Sequence, residues 1–157
     1  MESFVSQKTV AGIIKSGGKA RALRVFQKML GELYKAILFP NPTSKTRAGV
    51  FLDSNPENFS ISSKGKVVYV DFYPPKLFDS NGYLKPFISR LHSRNKAYLS
   101  RRYGDKRAIL FFAFRKASRL RPELRKDFLL ALITFLKVQK NEDLANYFER
   151  MSKKIKY

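Results

Sequence analysis

The segment Leu52–Pro75, LDSNPENFSISSKGKVVYVDFYPP, carries the most specific pattern in the chain and predicts a small β structure. Phe59–Ser62 alternates apolar and polar residues, and Val67–Phe72 is a continuous run of β-branched and aromatic residues. Lys64-Gly65 lies between these two runs and is typical of a tight turn between paired strands. The segment therefore predicts a β-hairpin in the middle of the chain.

The residues before this hairpin predict a strand followed by a long helix. Phe4–Val10 is short, rich in β-branched residues and followed by Ala11-Gly12, which is typical of a strand that ends in a turn. Ser16-Gly17-Gly18 predicts an interruption of regular secondary structure before the helix. Apolar residues then recur at three- and four-residue spacing over Ala20–Leu38, which predicts an amphipathic helix.

Four helices are predicted after the hairpin. Tyr83–Leu99 has one apolar face, and Lys106–Ser118 contains the run Leu110–Phe114, which favours a buried helix but leaves a strand open. Pro122 suits the first position of a helix over Pro122–Lys137. Asn141 suits the N-cap of the last helix. The apolar stripe of that helix comprises Leu144, Phe148, Met151 and Ile155.

These patterns predict one domain over residues 1–157, of the α+β class and predominantly helical. Its parts are a hinge-like strand at 1–12, a helix at 20–38, a β segment at 49–75 and a helical region at 83–155. The expected architecture is a small β-hairpin patch with about five helices around it.

Composition excludes several kinds of site. The chain has no cysteine and one histidine, His92, so disulfide frameworks, thiolate metal sites and histidine clusters are excluded. The N-terminus lacks the pattern of a secretory signal. The longest apolar runs are far shorter than the roughly 20 residues of a membrane span. We therefore expect a cytoplasmic protein.

The order of polar residues around the hairpin resembles a known catalytic core. Asp53 is followed by Pro56 and Asn58, then by the hairpin, then by Asp71-Phe72. This resembles the protein-kinase-like superfamily, which includes protein kinases and phosphotransferases of the aminoglycoside type. There a D-x-x-x-x-N loop precedes a β-hairpin and a D-F-G or related triplet. The resemblance implies the large, C-terminal lobe of that fold, with the helix Ala20–Leu38 in front of the catalytic loop.

The resemblance also implies roles for three side chains. Asp53 would be the general base that accepts the proton of the attacking hydroxyl, and Asn58 and Asp71 would hold the magnesium of Mg-ATP. Their oxygen atoms are of the kind that Mg²⁺ prefers. The alternative interpretation is turn chemistry alone, because Asp-Ser-Asn-Pro is a favourable turn sequence without any catalytic role.

The chain departs from the family pattern in four places. It begins at the position of the interlobe hinge, so the small lobe with its glycine-rich loop and lysine is missing. Phe51 stands where histidine is usual, Tyr73 stands where glycine is usual, and Pro74-Pro75 follows. We therefore expect a degenerate large lobe, or half of a split kinase that needs a small lobe from another chain. The isolated chain is expected to be inactive.

The charge predicts a second, separate function. The chain has 32 Lys+Arg against 12 Asp+Glu, a net charge of +20. Arg90–Lys126 holds 13 of these cations against Asp105 and Glu123, whereas a solvated face normally mixes signs. Tyr98 and Tyr103 flank an arginine pair, a combination that suits base stacking and phosphate contact. The candidate polyanion-binding residues are Arg94, Lys96, Arg101, Arg102, Lys106, Arg107, Arg115, Lys116, Arg119 and Arg121.

Three interpretations of the whole chain thus stay open. The first is a phosphotransferase large lobe. The second is a catalytically inactive basic scaffold on RNA, DNA or a ribonucleoprotein, with an anionic membrane, an acidic partner and merely solubilising charge as other uses of the cations. The third is a regulatory or structural subunit that pairs with a partner such as a small-lobe chain, or with itself, through the apolar surface where the missing lobe would dock.

Overall fold

The computed structural model describes residues 9–38, 53–70 and 104–154, and the fold is described for these ranges. They contain five α-helices, one antiparallel pair of strands and two short 3₁₀ turns. The helices are α1 (Val10–Ser16), α2 (Lys19–Leu38), α3 (Lys106–Leu120), α4 (Arg125–Val138) and α5 (Glu142–Lys154); the strands are β1 (Phe59–Ile61) and β2 (Val67–Tyr69); the 3₁₀ turns are Pro56–Asn58 and Pro122–Leu124. The prediction of a mainly helical fold with a small β-hairpin is confirmed.

The beginning of the described chain corrects one prediction. The turn expected at Ala11-Gly12, at the end of a strand over Phe4–Val10, is wrong because these residues belong to α1. Thr9 starts this helix, since its Oγ1 accepts a 3.1 Å hydrogen bond from the backbone N–H of Gly12. The β-branched residues of α1 also recur at helical spacing, and all of them are buried. Residues 4–8 lie outside the described ranges.

The chain is interrupted at Gly17-Gly18, within the predicted break Ser16-Gly17-Gly18, and the element before the interruption is the helix α1. Gly17 follows α1, and a Cβ atom at this position would lie 2.6 Å from the carbonyl oxygen of Ile13. Only glycine fits such a close approach of backbone to backbone. The helix α2 starts two residues later and buries one continuous apolar face, as the spacing over Ala20–Leu38 predicts. The buried residues of α2 are Ala22, Val25, Phe26, Met29, Leu30, Leu33, Tyr34 and Ile37.

The hairpin has the predicted strands and the predicted turn. β1 and β2 are antiparallel, with Ser60 opposite Val68 at the centre of the register. Gly65 has φ of 70°, which is the left-handed conformation that such turns require and that side chains disfavour. The backbone N–H of Ser62 closes the turn by a 2.8 Å bond to the carbonyl oxygen of Lys66.

The three C-terminal helices agree with the predicted ones. The aromatic run in Lys106–Ser118 is helical, so the open alternative of a strand is excluded. The helix predicted to start at Pro122 begins with a 3₁₀ turn and continues as α4. Asn141 is the predicted N-cap, because its Oδ1 accepts a 3.2 Å bond from the N–H of Leu144.

The core lies around α2, which packs against α1, α3, α4 and β2. Phe26 on α2 meets Phe128 on α4 edge to face, with ring centroids 5.0 Å apart. One helical turn from the end of α2, Tyr34 packs in the same way on Phe135 at 5.6 Å. The hydroxyl of Tyr34 also accepts a 3.0 Å bond from Asn141 Nδ2. α2 therefore ties the hairpin to the helical C-terminal part.

Several predictions fall on parts of the chain that are not described. These are residues 49–52 and 71–75 at the two ends of the predicted β segment, the helix Tyr83–Leu99 with His92, and the end of the last helix at Ile155. None of the described helices is at once long and apolar enough to span a bilayer.

Candidate functional site

The loop from Asp53 to Asn58 is shaped by short-range hydrogen bonds of its own side chains. Asp53 Oδ1 accepts a 3.3 Å bond from the backbone N–H of Asn55. Asn55 in turn caps the 3₁₀ turn Pro56–Asn58, with its Oδ1 3.4 Å from the N–H of Glu57. Both are Asx turns, in which a short polar side chain takes the place of a backbone carbonyl. The turn chemistry that the sequence suggests is therefore present.

Asn58 closes this loop and connects it to the hairpin. Its Nδ2 lies 3.4 Å from the carbonyl oxygen of Asp53, so the side chain reaches back across the five-residue spacing. Its own carbonyl accepts a 2.9 Å bond from the N–H of Val70, directly beyond β2. The loop start, the loop end and the end of the hairpin thus meet at Asn58.

The structure brings two of the three predicted catalytic side chains together. Asp53 and Asn58 belong to one closed loop, and both are half-buried. Asp71 follows Val70 in the chain but lies outside the described residues. Its predicted role is therefore not tested by the geometry.

A buried hydrogen bond attaches the loop to the core. Ser54 is 2% exposed, and its hydroxyl donates a 2.7 Å bond to the carbonyl oxygen of Ile109 on α3. Pro56 and Phe59 are buried on either side of Asn58. A buried hydrogen bond of this kind fixes position more firmly than a solvated one, because neither partner can turn to water instead. The backbone of Asp53 is therefore fixed by two neighbours: Ser54, which is bonded to α3, and Asn58, which is bonded to the carbonyl oxygen of Asp53.

The donor atoms of the loop fit a hard cation. A metal would bind to Oδ1 of Asn58, since oxygen is the atom of that amide that carries lone pairs. One asparagine oxygen and carboxylate oxygens form a set that suits Mg²⁺. Within the described ranges no group of three histidine or acidic residues forms a complete metal site. Asp71 would have to complete the set.

The candidate polyanion residues that the structure describes differ in exposure and do not share one exposed face. Lys106 is only 2% exposed, and burial lowers the pKa of its ammonium group. The guanidinium of Arg107 lies over the ring of Tyr147 at 5.0 Å. Arg115 and Arg119 are exposed on α3, and Lys116 is half-buried there. Outside the described residues lie Arg94, Lys96, Arg101 and Arg102.

Arg121 has a structural role that the charge pattern did not indicate. Its Nη1 donates to the carbonyl oxygens of Gly17 at 2.8 Å and Ile14 at 3.3 Å, at the C-terminal end of α1. Its Nε bonds the carboxylate of Glu123, and this bond lowers the pKa of that carboxyl group. Arg121 thus caps a helix, and it is a poor candidate for a polyanion contact. Lys106 is a poor one too, because its ammonium group lies in the interior.

Sequence reasoning missed Ser54, the residue that anchors the loop. A serine within a turn-rich stretch carries no signal of burial, and its partner Ile109 is 55 residues away in the chain.

Comparison with known proteins identifies no relative of this chain. No protein-family model, no curated protein and no solved structure matches the chain.

Proposed function

We propose that the chain is the large lobe of a kinase-like phosphotransferase that binds Mg-ATP beside the loop Asp53–Asn58. The observation that supports this most is the closure of the loop by Asn58 at both ends, towards Asp53 and towards Val70. Phosphoryl transfer needs a base and metal ligands held at fixed separation, because catalysis is almost entirely positioning and charge stabilisation. A short loop anchored on a hairpin and on α3 supplies that rigidity.

In this proposal each side chain has one task. The Asp53 carboxylate accepts the proton of the acceptor hydroxyl while the hydroxyl oxygen forms its bond to the γ-phosphorus and the bond to the leaving ADP breaks. Asn58 Oδ1 and Asp71 would hold Mg²⁺, which neutralises charge on the phosphates. A small lobe would also be needed to cover the nucleotide.

Thermal unfolding with nucleotide tests nucleotide binding directly. Mg-ATP at ten times its Kd should stabilise the chain by about 1.4 kcal/mol, which is a rise of roughly 3–5 °C in Tm. Asn58→Ala and Asp71→Ala should lose the rise. Asn146→Ala, on the exposed face of α5, is the matched control and should keep it. A wild-type chain with the same Tm at millimolar Mg-ATP would contradict nucleotide binding by this lobe.

A second variant separates the base from the metal ligands. Asp53→Asn keeps the size of the side chain and its acceptor oxygen for Asn55, so the loop should survive. The Tm rise with Mg-ATP should persist in Asp53→Asn, while any phosphotransfer in the presence of a small-lobe partner should fall at least about a hundredfold. Equal loss of binding in Asp53→Asn would assign that residue to the metal instead.

The second candidate is a basic scaffold on nucleic acid, and the exposed arginines of α3 favour it. Arg115 and Arg119 form no ion pair with the described residues, and Arg125 at the start of α4 is exposed as well. Phosphate contacts release counterions, so binding to a single-stranded oligonucleotide should weaken steeply with salt. Charge reversal of Arg115 and Arg119 should weaken it further, whereas Asn58→Ala should not. Binding that ignores both salt and the reversals would contradict this candidate.

A further inference from the structure

Two stretches of the chain that are far apart in sequence meet at one end of the helical bundle. Arg121 Nη1 donates a 2.8 Å bond to the carbonyl oxygen of Gly17, which joins the end of α3 to the end of α1. Lys19 Nζ lies 2.8 Å from Asp127 Oδ1, which joins the start of α2 to the start of α4. The ends of four helices therefore lie together, and we call residues 13–22 and 117–128 the basic end.

The basic end has more positive charge than its own carboxylates can balance. It holds seven lysines and arginines against Glu123 and Asp127. Both carboxylates are already paired, Asp127 with Lys19 and Glu123 with Arg121. Four of the other cations are exposed and form no ion pair with the described residues: Lys15, Arg21, Arg119 and Arg125. Their charges are therefore available to an anion from solution.

The rest of the chain has few carboxylates that could balance these four charges. The segments outside the described ranges contain three acidic residues, Glu2, Asp71 and Asp79, against eleven lysines and arginines. Because those segments add positive charge on balance, the counter-charge of the basic end is expected from another molecule.

The side chains of the basic end favour nucleic acid over a membrane or an acidic protein. Three of the four exposed cations are arginines, whose planar guanidinium groups bind phosphate through two parallel hydrogen bonds. No large apolar side chain is exposed within residues 13–22 and 117–128. Segments that bind a membrane surface combine cations with apolar side chains, and protein interfaces have an apolar core. The basic end therefore suits a partner that presents phosphates alone.

The same residues favour a double strand over a single strand. No aromatic side chain is exposed within the basic end, whereas single strands are usually held by bases that stack on aromatic rings. A duplex keeps its bases inside and presents one phosphate per roughly 1.7 Å of its axis, about twice the density of one strand. Since packed helices are about 8–10 Å apart, the four helix ends extend over roughly 20 Å, the length of about six base pairs.

We propose that the basic end binds the phosphate backbone of double-stranded nucleic acid without reading its sequence. Lys15, Arg21, Arg119 and Arg125 each contact a phosphate, and such contacts position a protein but carry no sequence information. Arg121 and Lys19 hold the two stretches of chain together, so the surface exists only in the folded protein. The inference rests on the second candidate function, the basic scaffold, and names its surface and the form of nucleic acid.

Fluorescence anisotropy with a fluorescein-labelled DNA duplex of 16 base pairs tests the proposal, in titrations between 50 and 200 mM salt. The test variant is Arg21→Glu/Arg125→Glu. Both substitutions lie in the first turn of a helix, where a carboxylate is favourable, so the fold should survive. Loss of two phosphate contacts should make the slope of log K against log salt shallower by about 1.8. We expect at least about tenfold weaker binding of the duplex at 100 mM salt.

A matched control separates the basic end from net charge. Lys64→Glu/Lys140→Glu changes the net charge by the same amount at two exposed lysines, in the hairpin turn and beyond the far end of α4. This variant should keep the salt slope of the wild type. Melting curves verify the folding of both variants, and Arg21→Gln/Arg125→Gln replaces the test variant if reversal of the charges unfolds the chain.

Four results would overturn the proposal. Equal weakening by the test and control variants would show attraction by net charge, and the basic scaffold would stand without this surface. A 16-nucleotide single strand that binds as tightly as the duplex would contradict the preference for a double strand. Vesicles of phosphatidylserine and phosphatidylcholine that bind more tightly than the duplex, and lose binding in the test variant, would assign the basic end to a membrane. A wild-type chain that binds neither duplex nor single strand at 50 mM salt would overturn the scaffold as well.

Discussion

The hydroxyl of Ser54 donates a 2.7 Å hydrogen bond to the carbonyl oxygen of Ile109, and both residues are buried. This bond joins the candidate catalytic loop to a helix that begins 52 residues further along the chain. It links the geometry around Asp53 to the stability of the whole fold. A substitution at Ser54 is therefore expected to affect both the geometry around Asp53 and the stability of the fold.

Ser54→Ala should lower the free energy of unfolding by about 1 kcal/mol, because a buried hydrogen bond is lost and the cavity is small. If Mg-ATP binds, its Kd should rise as well, since Asp53 loses its anchor. Urea unfolding and the nucleotide titration measure the two effects. Ser152→Ala is the control, because the hydroxyl of Ser152 bonds only a carbonyl within its own helix. A Ser54→Ala protein as stable as Ser152→Ala would mean that the bond to Ile109 contributes nothing.

Two glycine variants should shift stability in opposite directions. Gly31→Ala should stabilise the protein by about 0.5–1 kcal/mol, since the residue lies inside α2 and a Cβ meets no atom within 4 Å. Gly65→Ala should destabilise it by about 1 kcal/mol, because φ is 70° at that turn. Thermal melts of the two variants beside the wild type measure both effects. The same sign for the two would contradict the described backbone at residue 65.

Asn141 should be a strong site for destabilisation. Its Oδ1 caps α5 and its Nδ2 bonds the Tyr34 hydroxyl, so Asn141→Ala removes two bonds. We expect a loss of about 1–2 kcal/mol in the free energy of unfolding. Asn141→Asp keeps the acceptor for the cap, and Tyr34→Phe removes only the second bond. A double-mutant cycle of Asn141→Ala and Tyr34→Phe measures their coupling, which should be clearly different from zero.

The buried Lys106 predicts a dependence of stability on pH. Burial lowers the pKa of this ammonium group in the folded protein below the ordinary value of 10.5. Between the folded and the unfolded pKa, the unfolded chain binds more protons at this site, so its contribution to stability rises with pH. The cost of burying the charge is full at neutral pH and shrinks as the pH approaches 10.5.

The stability of Lys106→Met relative to the wild type should therefore fall from pH 7 to pH 10. Urea unfolding of both proteins at the two pH values measures the difference, in which the titration of all other groups cancels. Lys153→Met, on the exposed side of α5, should show no such trend. A relative stability of Lys106→Met that rises with pH would contradict the direction of the pKa shift.

Most of the helices and the hairpin were predictable because their signals are local. The apolar spacing of α2, the glycine turn at Gly65 and the cap at Asn141 each depend on residues within one element. The helix α1 was mistaken for the end of a strand, since its β-branched residues favour strands and the cap at Thr9 was overlooked. Tertiary packing of its apolar face outweighed that preference.

The candidate site was predictable only as a pattern of residues. The sequence Asp-Ser-Asn-Pro indicated a turn, and the Asx turns of Asp53 and Asn55 are present. Burial of Lys106 and the helix-capping bonds of Arg121 were not predictable, because both depend on residues distant in the sequence. Counting charges along the chain treats every cation as solvated, which fails wherever a long side chain reaches into another element.

The contact of Arg121 with Gly17 spans 104 residues, and that of Asn141 with Tyr34 spans 107. During synthesis, α1 and α2 leave the ribosome long before the helices that cover them. Their apolar faces stay uncovered until α3, α4 and α5 have been synthesised, so we expect nascent chains to need chaperone protection until these helices have emerged.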